Sequence, residues 1–285
     1  MRHITILVHP HDDFAGCDYL LRGVAEQWRQ SGTRVTVVRD PHKHLEADLA
    51  ILHVDLTVVP DEYLHFIRRY PLAINAATGD ISKRKISTNL VRDGDGYKGP
   101  VIVKTNRNCG GASEGLHAQR ESWLWKNLRA VRRRLHWSWR AEIGMWEYRV
   151  FESPAKVPLP VWFNPDLIVE RFLPERRDGF YCMRTWIFLG DAEESRIYYA
   201  NQPIVKSPVA VRIEEGTVPD ELREMRRQMR FDFGKFDFGI VDGRVVLYDV
   251  NRTPVARMSA NNIPLFKLLA SGVDSVFKPK YRAAG

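Results

Sequence analysis

Strand and helix patterns alternate along the first 97 residues, and this alternation constrains the fold more than any other feature of the sequence. Apolar or β-branched runs predict strands, and stretches in which apolar residues recur at helical spacing predict helices. The strands are predicted at 4–10, 33–38, 47–57 and 71–75, and the helices at 18–32 and 61–70. Such an alternation favours a parallel sheet with right-handed crossovers. We therefore predict an N-terminal Rossmann-like domain of α/β class at 1–97, which ends within the run RDGDGYKG.

The remainder of the chain, 98–285, is richer in strand patterns, and we predict that it is of α+β class. Strands are predicted at 99–105, 147–151, 167–172, 180–190, 196–203, 236–241 and 244–250. Helices are predicted at about 220–230 and at 118–136, where the apolar residues are Leu124, Leu128, Val131 and Leu135. That spacing places the four side chains on one helical face, which is expected to pack inward.

The dipeptide Asp242-Gly243 lies between two strand patterns and is a strong hairpin signal. We predict a three-residue loop with Gly243 left-handed, because that register separates apolar from polar side chains. One face then holds Phe236, Phe238, Ile240, Val246, Tyr248 and Val250, and the other holds Asp237, Asp249 and Asn251. Two carboxylates and an amide oxygen are hard donors that suit Mg²⁺ or Mn²⁺. A solvated hairpin face with capping acids is the alternative.

Composition limits the class of protein and the class of partner. The net charge of +8 favours anionic partners, which include nucleotides, acidic small molecules and nucleic acids. No apolar run has the length of a membrane span, and the N-terminus becomes polar too early for a signal peptide. Cys17, Cys109 and Cys182 are widely spaced and suggest neither a zinc site nor a disulfide framework. We therefore expect a cytoplasmic protein without a membrane partner.

Four segments occur in the order and approximate spacing of one superfamily. They are PVIVKT, LIVERFLPE, MRTWIFLG and FDFGIVDGRVVLYDVNRTP, and INAATGDISKRKIS before them is similar to the linker of that superfamily. Over about 70–256 the chain resembles the ATP-grasp superfamily, which includes D-alanyl-D-alanine ligases, glutathione synthetases and enzymes that add glutamate to protein tails. The resemblance implies an ATP-grasp domain at 98–285, with subdomains at about 98–172 and 173–285 that close over ATP.

The resemblance also implies which residues bind the nucleotide. Lys104 resembles the strand lysine that reaches the α and β phosphates, and Lys206 is a weaker phosphate candidate. The backbone amides of Gly110 and Gly111 are expected to close over phosphates, although this loop departs from the usual glycine pattern of the superfamily. The segment from Glu170 to Leu173 resembles the hinge that holds adenine, through the carbonyl of Arg171 and the amide of Leu173. Glu175 and Asp178 are alternative ribose ligands.

Arg184 lies in the middle of a predicted strand, where an unpaired guanidinium is costly. It is expected to face a phosphate or a bound carboxylate, and a buried ion pair is the alternative. Asp237, Asp249 and Asn251 match the metal triad of the superfamily. Asp249 stands where many relatives have Glu, and its shorter side chain leaves the number of metal ions open.

The chemistry that the resemblance implies is ATP-dependent ligation of a carboxylate to an amine. ATP phosphorylates the carboxylate, and the amine then displaces phosphate from the acyl phosphate. Magnesium or manganese is expected on the triad, and the catalytic residues are expected to be Lys104 and Arg184, which offset charge on the transferred group. The expected partners are ATP and small-molecule or peptide substrates, one of them anionic. A kinase-like phosphotransferase, a nucleotide-binding regulator and a nucleic-acid-binding protein are the alternatives, and the oligomeric state is open.

The run HPHDDF resembles the zinc-binding motif of certain N-deacetylases, with His9, Asp12 and Asp13 as ligands. The residues are displaced by one position, and no later His completes a site. Capping of the next helix by Asp12 or Asp13 is the simpler interpretation. A loop beyond the carboxyl end of a parallel strand is also a common place for substrate contact.

A basic and Trp-rich segment extends over 123–146. Its residues are Trp123, Trp125, Trp137, Trp139 and Trp146 with Lys126, Arg129, Arg132, Arg133, Arg134 and Arg140. Interleaved basic and aromatic residues can bind single-stranded nucleic acid, but a solvated helix face is the simpler interpretation. We expect the part at 126–140 to contact an anionic second substrate.

Overall fold

A parallel sheet forms the first part of the protein, as the sequence predicts. The computed structural model describes residues 1–278 apart from 93, 122–126, 128–129, 132–133 and 145. The sheet has the strand order β2-β1-β3-β4 and consists of β1 (His3–Leu7), β2 (Arg34–Val38), β3 (Leu49–Leu52) and β4 (Ala73–Ile74). Two helices, α1 (Leu20–Gln30) and α2 (Asp61–Ile67), connect these strands. All four residues of β3 are buried, as expected for a strand of a sheet covered on both faces.

Two antiparallel sheets follow. The smaller has the order β6-β5-β7 and consists of β5 (Val101–Thr105), β6 (Arg149–Phe151) and β7 (Leu167–Arg171). The larger has the order β11-β10-β9-β12-β13, and β8 also pairs with β9. Its strands are β8 (Glu175–Arg177), β9 (Phe180–Leu189), β10 (Ala192–Ala200), β11 (Arg212–Glu215), β12 (Phe233–Val241) and β13 (Arg244–Asn251). Helices described beside these sheets include α3 (Lys83–Ile86), α4 (Ala112–Glu121), α5 (Leu159–Phe163), α6 (Asp220–Gln228) and α7 (Ile263–Val276). The mixed α/β and α+β class is confirmed.

The last helix packs against the first sheet. Leu265, Phe266 and Leu269 of α7 belong to the same buried cluster as Ile4 and Ile6 of β1 and the apolar face of α1. The indole of Trp28 donates a hydrogen bond of 2.9 Å to the carbonyl of Ala270. Residues 263–276 therefore belong to the core beside the first sheet. The division of the chain at residue 97 remains a prediction.

Asn75 fastens the first sheet to the largest one. It is fully buried, it has a left-handed backbone (φ 62°), and it follows β4 directly. Its side-chain amide donates to the carbonyl of Phe233 at 2.7 Å, and its Oδ1 accepts from the amides of Asp232 and Phe233. The start of β12 is thereby held at the end of β4, and β12 carries one of the predicted metal ligands.

The hairpin loop is shorter than predicted. Val241 pairs with Arg244, so the loop contains only Asp242 (φ 51°) and Gly243 (φ 76°), both left-handed as in a type I′ turn. The predicted three-residue loop is therefore wrong. The extra residue lies in β13 instead, where a bulge at Tyr248 separates the pair Phe238–Leu247 from the pair Asp237–Asp249.

Because of the bulge, Asp237 pairs with Asp249 as predicted, although the loop is shorter than predicted. The bulge also changes which residues of β13 lie on the apolar face. The buried cluster on that face contains Phe236, Phe238, Val245, Leu247 and Val250. Tyr248 belongs to a different cluster, with Met183 and Val205. The prediction that Val246 and Tyr248 share the face of Phe236 is therefore wrong, because the bulge reverses the alternation of β13 between its two sides.

The helix predicted at 118–136 begins six residues earlier than predicted, at Ala112. Leu124 and Leu128 of its predicted apolar face lie outside the described residues. Val131 and Leu135 are 60% and 43% exposed, so the expected inward packing is wrong for these two. No helix within the described ranges has the length and apolar character to cross a membrane.

Truncation of Leu269 tests the packing of α7. This side chain is fully buried, whereas the neighbouring Leu268 is 41% exposed. We expect Leu269→Ala to lower the free energy of unfolding in urea by about 2 to 5 kcal/mol, because a cavity remains in the shared core. Leu268→Ala is the matched control and is expected to cost about 1 kcal/mol or less. Equal losses for the two variants would contradict the shared core.

Candidate functional site

Lys104 joins the two antiparallel sheets. It lies on β5 and is buried, and its ammonium nitrogen is 2.6 Å from Glu170 Oε2 on the neighbouring strand β7. The same nitrogen donates to the carbonyl of Tyr248 at 3.3 Å. Tyr248 is the bulged residue of β13. Lys104 therefore bridges the smaller sheet to the strand that carries Asp249.

The hairpin places the predicted metal ligands side by side. Asp237 on β12 lies directly opposite Asp249 on β13, and Asn251 is two residues further along β13. The Oδ1 of Asn251 accepts from the amide of Thr253 at 2.8 Å and from Asn108 Nδ2 at 3.3 Å. Like charges directly opposite each other on neighbouring strands are destabilising, so the two carboxylates need cations close by.

Lysines supply positive charge to both acids. Lys83 Nζ lies 3.0 Å from Asp249 Oδ1, and Lys235 Nζ lies 3.1 Å from Asp237 Oδ1. Lys206, named in the sequence as a weaker candidate, interacts electrostatically with both acids. With Lys104 and Glu170, four ammonium groups face three carboxylates in the described part of the site. This excess of positive charge favours an anionic ligand.

Lys83 and Lys235 were not singled out from the sequence. For Lys235 a signal exists, because it lies two residues before Asp237 on one strand and thus shares its face. Lys83 is the first residue of α3, within the segment that resembles a linker. Nothing in its local pattern separates it from Lys85, which is exposed.

The lysines control the protonation of Asp249. Burial raises the pKa of this carboxyl, but Lys83, Lys104 and Lys206 outweigh that effect and hold the pKa below its ordinary value. Burial lowers the pKa of Lys206 by more than Asp237 and Asp249 raise it. The site therefore keeps Asp249 ionised.

The oxygen donors fit a hard divalent cation. Oδ1 of Asp237 and Oδ1 of Asp249 are both buried, and an ammonium nitrogen lies about 3 Å from each. Together with the amide oxygen of Asn251, these two oxygens are the donor types that Mg²⁺ and Mn²⁺ prefer.

Arg184 lies in a buried ion pair with Glu175. Its Nε is 2.9 Å from Oε2 and its Nη2 is 2.7 Å from Oε1, a two-point contact between buried side chains. Hydrogen bonds from Arg184 and from the amide of Ile240 reach both oxygens of Glu175. These contacts agree with the alternative given for Arg184 in the sequence analysis, a buried ion pair. Its role toward a ligand remains a prediction, as does the ribose role of Glu175.

No family model and no curated protein sequence matches this chain. Solved structures do match it. D-alanine–D-alanine ligase from Bacillus anthracis superposes with a TM-score of 0.51 at 11% identity, over 99% of each chain. The chain has the ATP-grasp fold. An ATP-grasp RimK-domain protein from Sphaerobacter thermophilus matches with a TM-score of 0.49 and 10% identity, over 95% of this chain and 99% of the other. A RiPP-associated ATP-grasp ligase from Chryseobacterium gregarium, solved with ADP and a leader and core peptide, has a TM-score of 0.48 and 10% identity, over 95% of this chain and 97% of the other.

The predicted adenine hinge of the ATP-grasp fold is tied to β13 through Tyr248. The phenolic hydroxyl donates to the carbonyl of Leu173 at 2.9 Å and accepts from the amide of Glu175 at 3.2 Å. The amide of Arg171 donates to the carbonyl of Asn89. Asp178, the other ribose candidate, is exposed and lies 3.1 Å from Arg212. The predicted base and ribose contacts of these residues remain predictions.

The predicted phosphate loop has an unusual backbone. Cys109, Gly110 and Gly111 are left-handed in succession, with φ of 46°, 70° and 81°. A Cβ on Gly110 would lie 2.7 Å from the carbonyl oxygen of Ile143, so only glycine fits there. The amide of Asn108 donates to Thr57 Oγ1 at 2.8 Å and fixes the loop against the segment that follows β3. Successive amides in such a turn can bind anions, which is the predicted role of Gly110 and Gly111.

The basic and Trp-rich segment is described only in part. Trp123, Trp125, Lys126, Arg129, Arg132 and Arg133 lie outside the described residues. Trp137 is buried in the core of the smaller sheet, whereas Trp139 and Trp146 are exposed. Arg140 lies 3.6 Å from Glu147, and Arg134 is exposed. The contact of this segment with an anionic substrate stays a prediction.

The zinc interpretation of the first loop gains no support. Within the ranges that the structure describes, no three His, Cys, Asp or Glu side chains meet as a metal site. Asp13 accepts from the amide of Gly16, and α1 begins only at Leu20 without a side-chain cap. The expected helix cap is therefore wrong, because Asp13 closes a turn that precedes the helix.

Removal of one partner tests the buried ion pair. We expect Glu175→Gln to lower the free energy of unfolding by about 3 kcal/mol, because the guanidinium of Arg184 stays buried without its counter-charge. Urea unfolding gives this value. Asp178→Asn is the control, since that carboxylate is exposed, and its stability is expected to match the wild type. A stable Glu175→Gln variant would show that the pair is dispensable for the fold.

Proposed function

We propose that this protein is an ATP-dependent ligase that activates a carboxylate as an acyl phosphate and joins it to an amine. The observation that carries the proposal is the cluster of Lys83, Lys104, Lys206 and Lys235 around Asp237, Asp249 and Asn251. The cluster lies where both antiparallel sheets of an ATP-grasp fold meet. The acyl carbon–oxygen bond to phosphate breaks when the amine nitrogen attacks, and phosphate leaves.

Phosphoryl transfer from ATP depends mainly on neutralising the charge of the phosphates and aligning the reacting groups, and it requires no covalent intermediate with the protein. The lysines supply the charge, and their positions are fixed by carboxylates: Lys104 by Glu170, Lys83 by Asp249 and Lys235 by Asp237. Asp237, Asp249 and Asn251 would hold Mg²⁺, which neutralises phosphate oxygens when bound. No nucleophilic side chain is needed for this reaction.

Lys104 is proposed to bind the phosphates of ATP. Its ammonium is held from two sides, by Glu170 and by the carbonyl of Tyr248, so little rotamer freedom is left to lose on binding. Arg184, in contrast, has its guanidinium engaged by Glu175. Among the two predicted catalytic residues, the contacts favour Lys104 as the one that faces the transferred group, with Arg184 as a structural support.

The reaction is tested with carboxylic acids and hydroxylamine as a general amine acceptor. Formation of a hydroxamate and ADP from ATP is expected with one class of amino acid, dipeptide or dicarboxylate. Oxygen-18 in the carboxylate is expected to appear in the released phosphate. A stable phosphorylated alcohol without labelled phosphate would identify a kinase, and nucleotide binding without turnover would identify a regulator.

Substitution of Asp249 tests the metal assignment. We expect Asp249→Asn to abolish Mg²⁺-dependent ATP turnover and to weaken Mg²⁺-ATP at least tenfold, while adenosine affinity changes less than about twofold. Asp242→Asn is the matched control, because it removes the same charge from the exposed turn of the same hairpin, where Asn tolerates the left-handed backbone. Isothermal titration gives the affinities. Wild-type turnover in Asp249→Asn would remove the metal assignment.

Removal of Lys104 tests its phosphate contact. The double variant Lys104→Met, Glu170→Gln removes both buried charges of the pair, so that no unpaired carboxylate is left behind. We expect it to weaken ATP tenfold or more and AMP much less, because the ammonium is assigned to phosphates beyond the first. Lys98→Met, at an exposed position, is the control. Equal losses for ATP and AMP would point to a folding defect instead.

A further inference from the structure

The outer edge of the larger antiparallel sheet carries exposed apolar side chains. β11 is the last strand in the order β11-β10-β9-β12-β13, and among the described residues it pairs with β10 alone. Val211, the residue before this strand, is 57% exposed, and Ile213 within it is 50% exposed. A strand edge with exposed apolar side chains can pair with a strand of another molecule. The edge of β11 is therefore a candidate interaction surface.

The backbone of Ile213 faces away from β10. In an antiparallel pair, every second residue directs both its amide and its carbonyl to the partner strand. The amide of Gly216 donates to the carbonyl of Ser195 at 2.8 Å, and these two residues continue the register in which β11 pairs with β10. By this alternation Arg212 and Glu214 also bond to β10. Ile213 lies between them, so it directs its amide and its carbonyl to the free edge.

Opposite charges flank Ile213 along the strand. Arg212 and Glu214 share the other face of the sheet, where Arg212 Nε lies 3.3 Å from Glu214 Oε1, and their side chains are 40% and 41% exposed. Tyr199 of β10 holds both charges in place. Its ring lies 3.7 Å from the guanidinium carbon of Arg212, and its hydroxyl donates to Glu214 at 2.7 Å. A positive and a negative group therefore stand side by side at the free edge.

This charge order is complementary to itself in one register. When two copies of a strand pair antiparallel about a two-fold axis, one residue must lie opposite itself, because directly opposed side chains share a face. If Arg212 or Glu214 lay opposite itself, like charges would meet, which is destabilising. If Ile213 lies opposite itself, Arg212 faces Glu214 of the second copy, and Glu214 faces its Arg212. The two Ile213 residues then also exchange two backbone hydrogen bonds.

We propose that the free edge of β11 binds the same edge of a second copy of this chain, with Ile213 at the two-fold axis. A second copy supplies the apolar side chain, the opposite charges and the backbone groups that this edge requires. The interface goes beyond the ligase function proposed above and does not depend on it.

The pairing would place the two candidate sites on one face of a joined sheet. Ile213 pairs with Tyr198, Tyr198 with Met183, and Thr185 with Asp237. Paired residues share a face, and so do Met183 and Thr185, which are two apart on β9. Ile213 therefore lies on the face of Asp237. A two-fold axis perpendicular to the sheet keeps that face on the same side in both copies.

Sedimentation velocity and disulfide trapping of the whole chain test the interface. The wild type is expected to show a growing dimer fraction when it is concentrated to roughly 100 µM, a range in which even weak association is measurable. Under mild oxidation, Ile213→Cys is expected to form a disulfide between two chains at least tenfold faster than the wild type. The opposed residues of a hydrogen-bonded pair have Cα atoms about 5.5 Å apart, which suits a disulfide.

Val211→Cys is the matched control, because it places a thiol at an exposed position on the same face, two residues away. In the proposed register it lies opposite Glu215 of the second copy, so its cross-linking is expected to stay at the wild-type rate. The wild type itself accounts for disulfides formed by Cys17, Cys109 and Cys182.

Ile213→Pro tests the backbone contact. Proline removes the outward amide and leaves the bonds of Arg212 and Glu214 to β10, so dimerisation is expected to weaken tenfold or more. Ile213→Val keeps the amide and is expected to dimerise within threefold of the wild type. Urea unfolding shows whether each variant is folded.

Three results would each overturn the proposal. They are cross-linking of Ile213→Cys no faster than that of Val211→Cys, wild-type dimerisation by a folded Ile213→Pro variant, and a wild type that stays monomeric at roughly 100 µM. The last result would leave the edge of β11 to a strand of a different protein.

Discussion

The bulge at Tyr248 is the constraint on which the candidate site depends. It shifts the register of β13 by one residue, and without that shift a two-residue loop would place Asp249 opposite Phe236 instead of Asp237. The carbonyl of the bulged residue accepts from Lys104, and its hydroxyl reaches Leu173 and the amide of Glu175. One irregularity therefore positions the two acids, Lys104 and the segment from Leu173 to Glu175 relative to one another. Bulges are known to re-aim side chains beside functional sites.

Charge balance explains why so many buried ionic groups coexist around this hairpin. Isolated buried charges are strongly unfavourable, but here each carboxylate has an ammonium within about 3 Å. The lysines hold the pKa of Asp249 below its ordinary value, and the site carries more ammonium groups than carboxylates.

The fold could be predicted from the sequence where strand and helix patterns repeat. Residues of the candidate site could be predicted only where their partners are close to them in the sequence. Alternating strands and helices at 1–75 indicated the parallel sheet, and the ATP-grasp resemblance rested on four ordered segments. The pairing of Asp237 with Asp249 followed from the need to separate apolar from polar faces. The sequence around Tyr248 does not indicate a bulge, since Tyr is an ordinary strand residue. The prediction therefore placed the extra residue in the hairpin loop instead of in β13. Lys83 and the partner of Arg184 were missed for a similar reason: both depend on contacts between residues far apart in the chain.

The packing of α7 on α1 has a consequence for how the chain folds during synthesis. Trp28, near the beginning, completes its contacts only with Ala270, which is made about 240 residues later. The first sheet therefore leaves the ribosome with an uncovered apolar side, and at typical elongation rates of about 5 to 20 residues per second it waits for tens of seconds. Contacts between such distant residues also slow folding, because a long loop must close before they form. During that interval the uncovered apolar side of the first sheet is exposed to unwanted association with other chains.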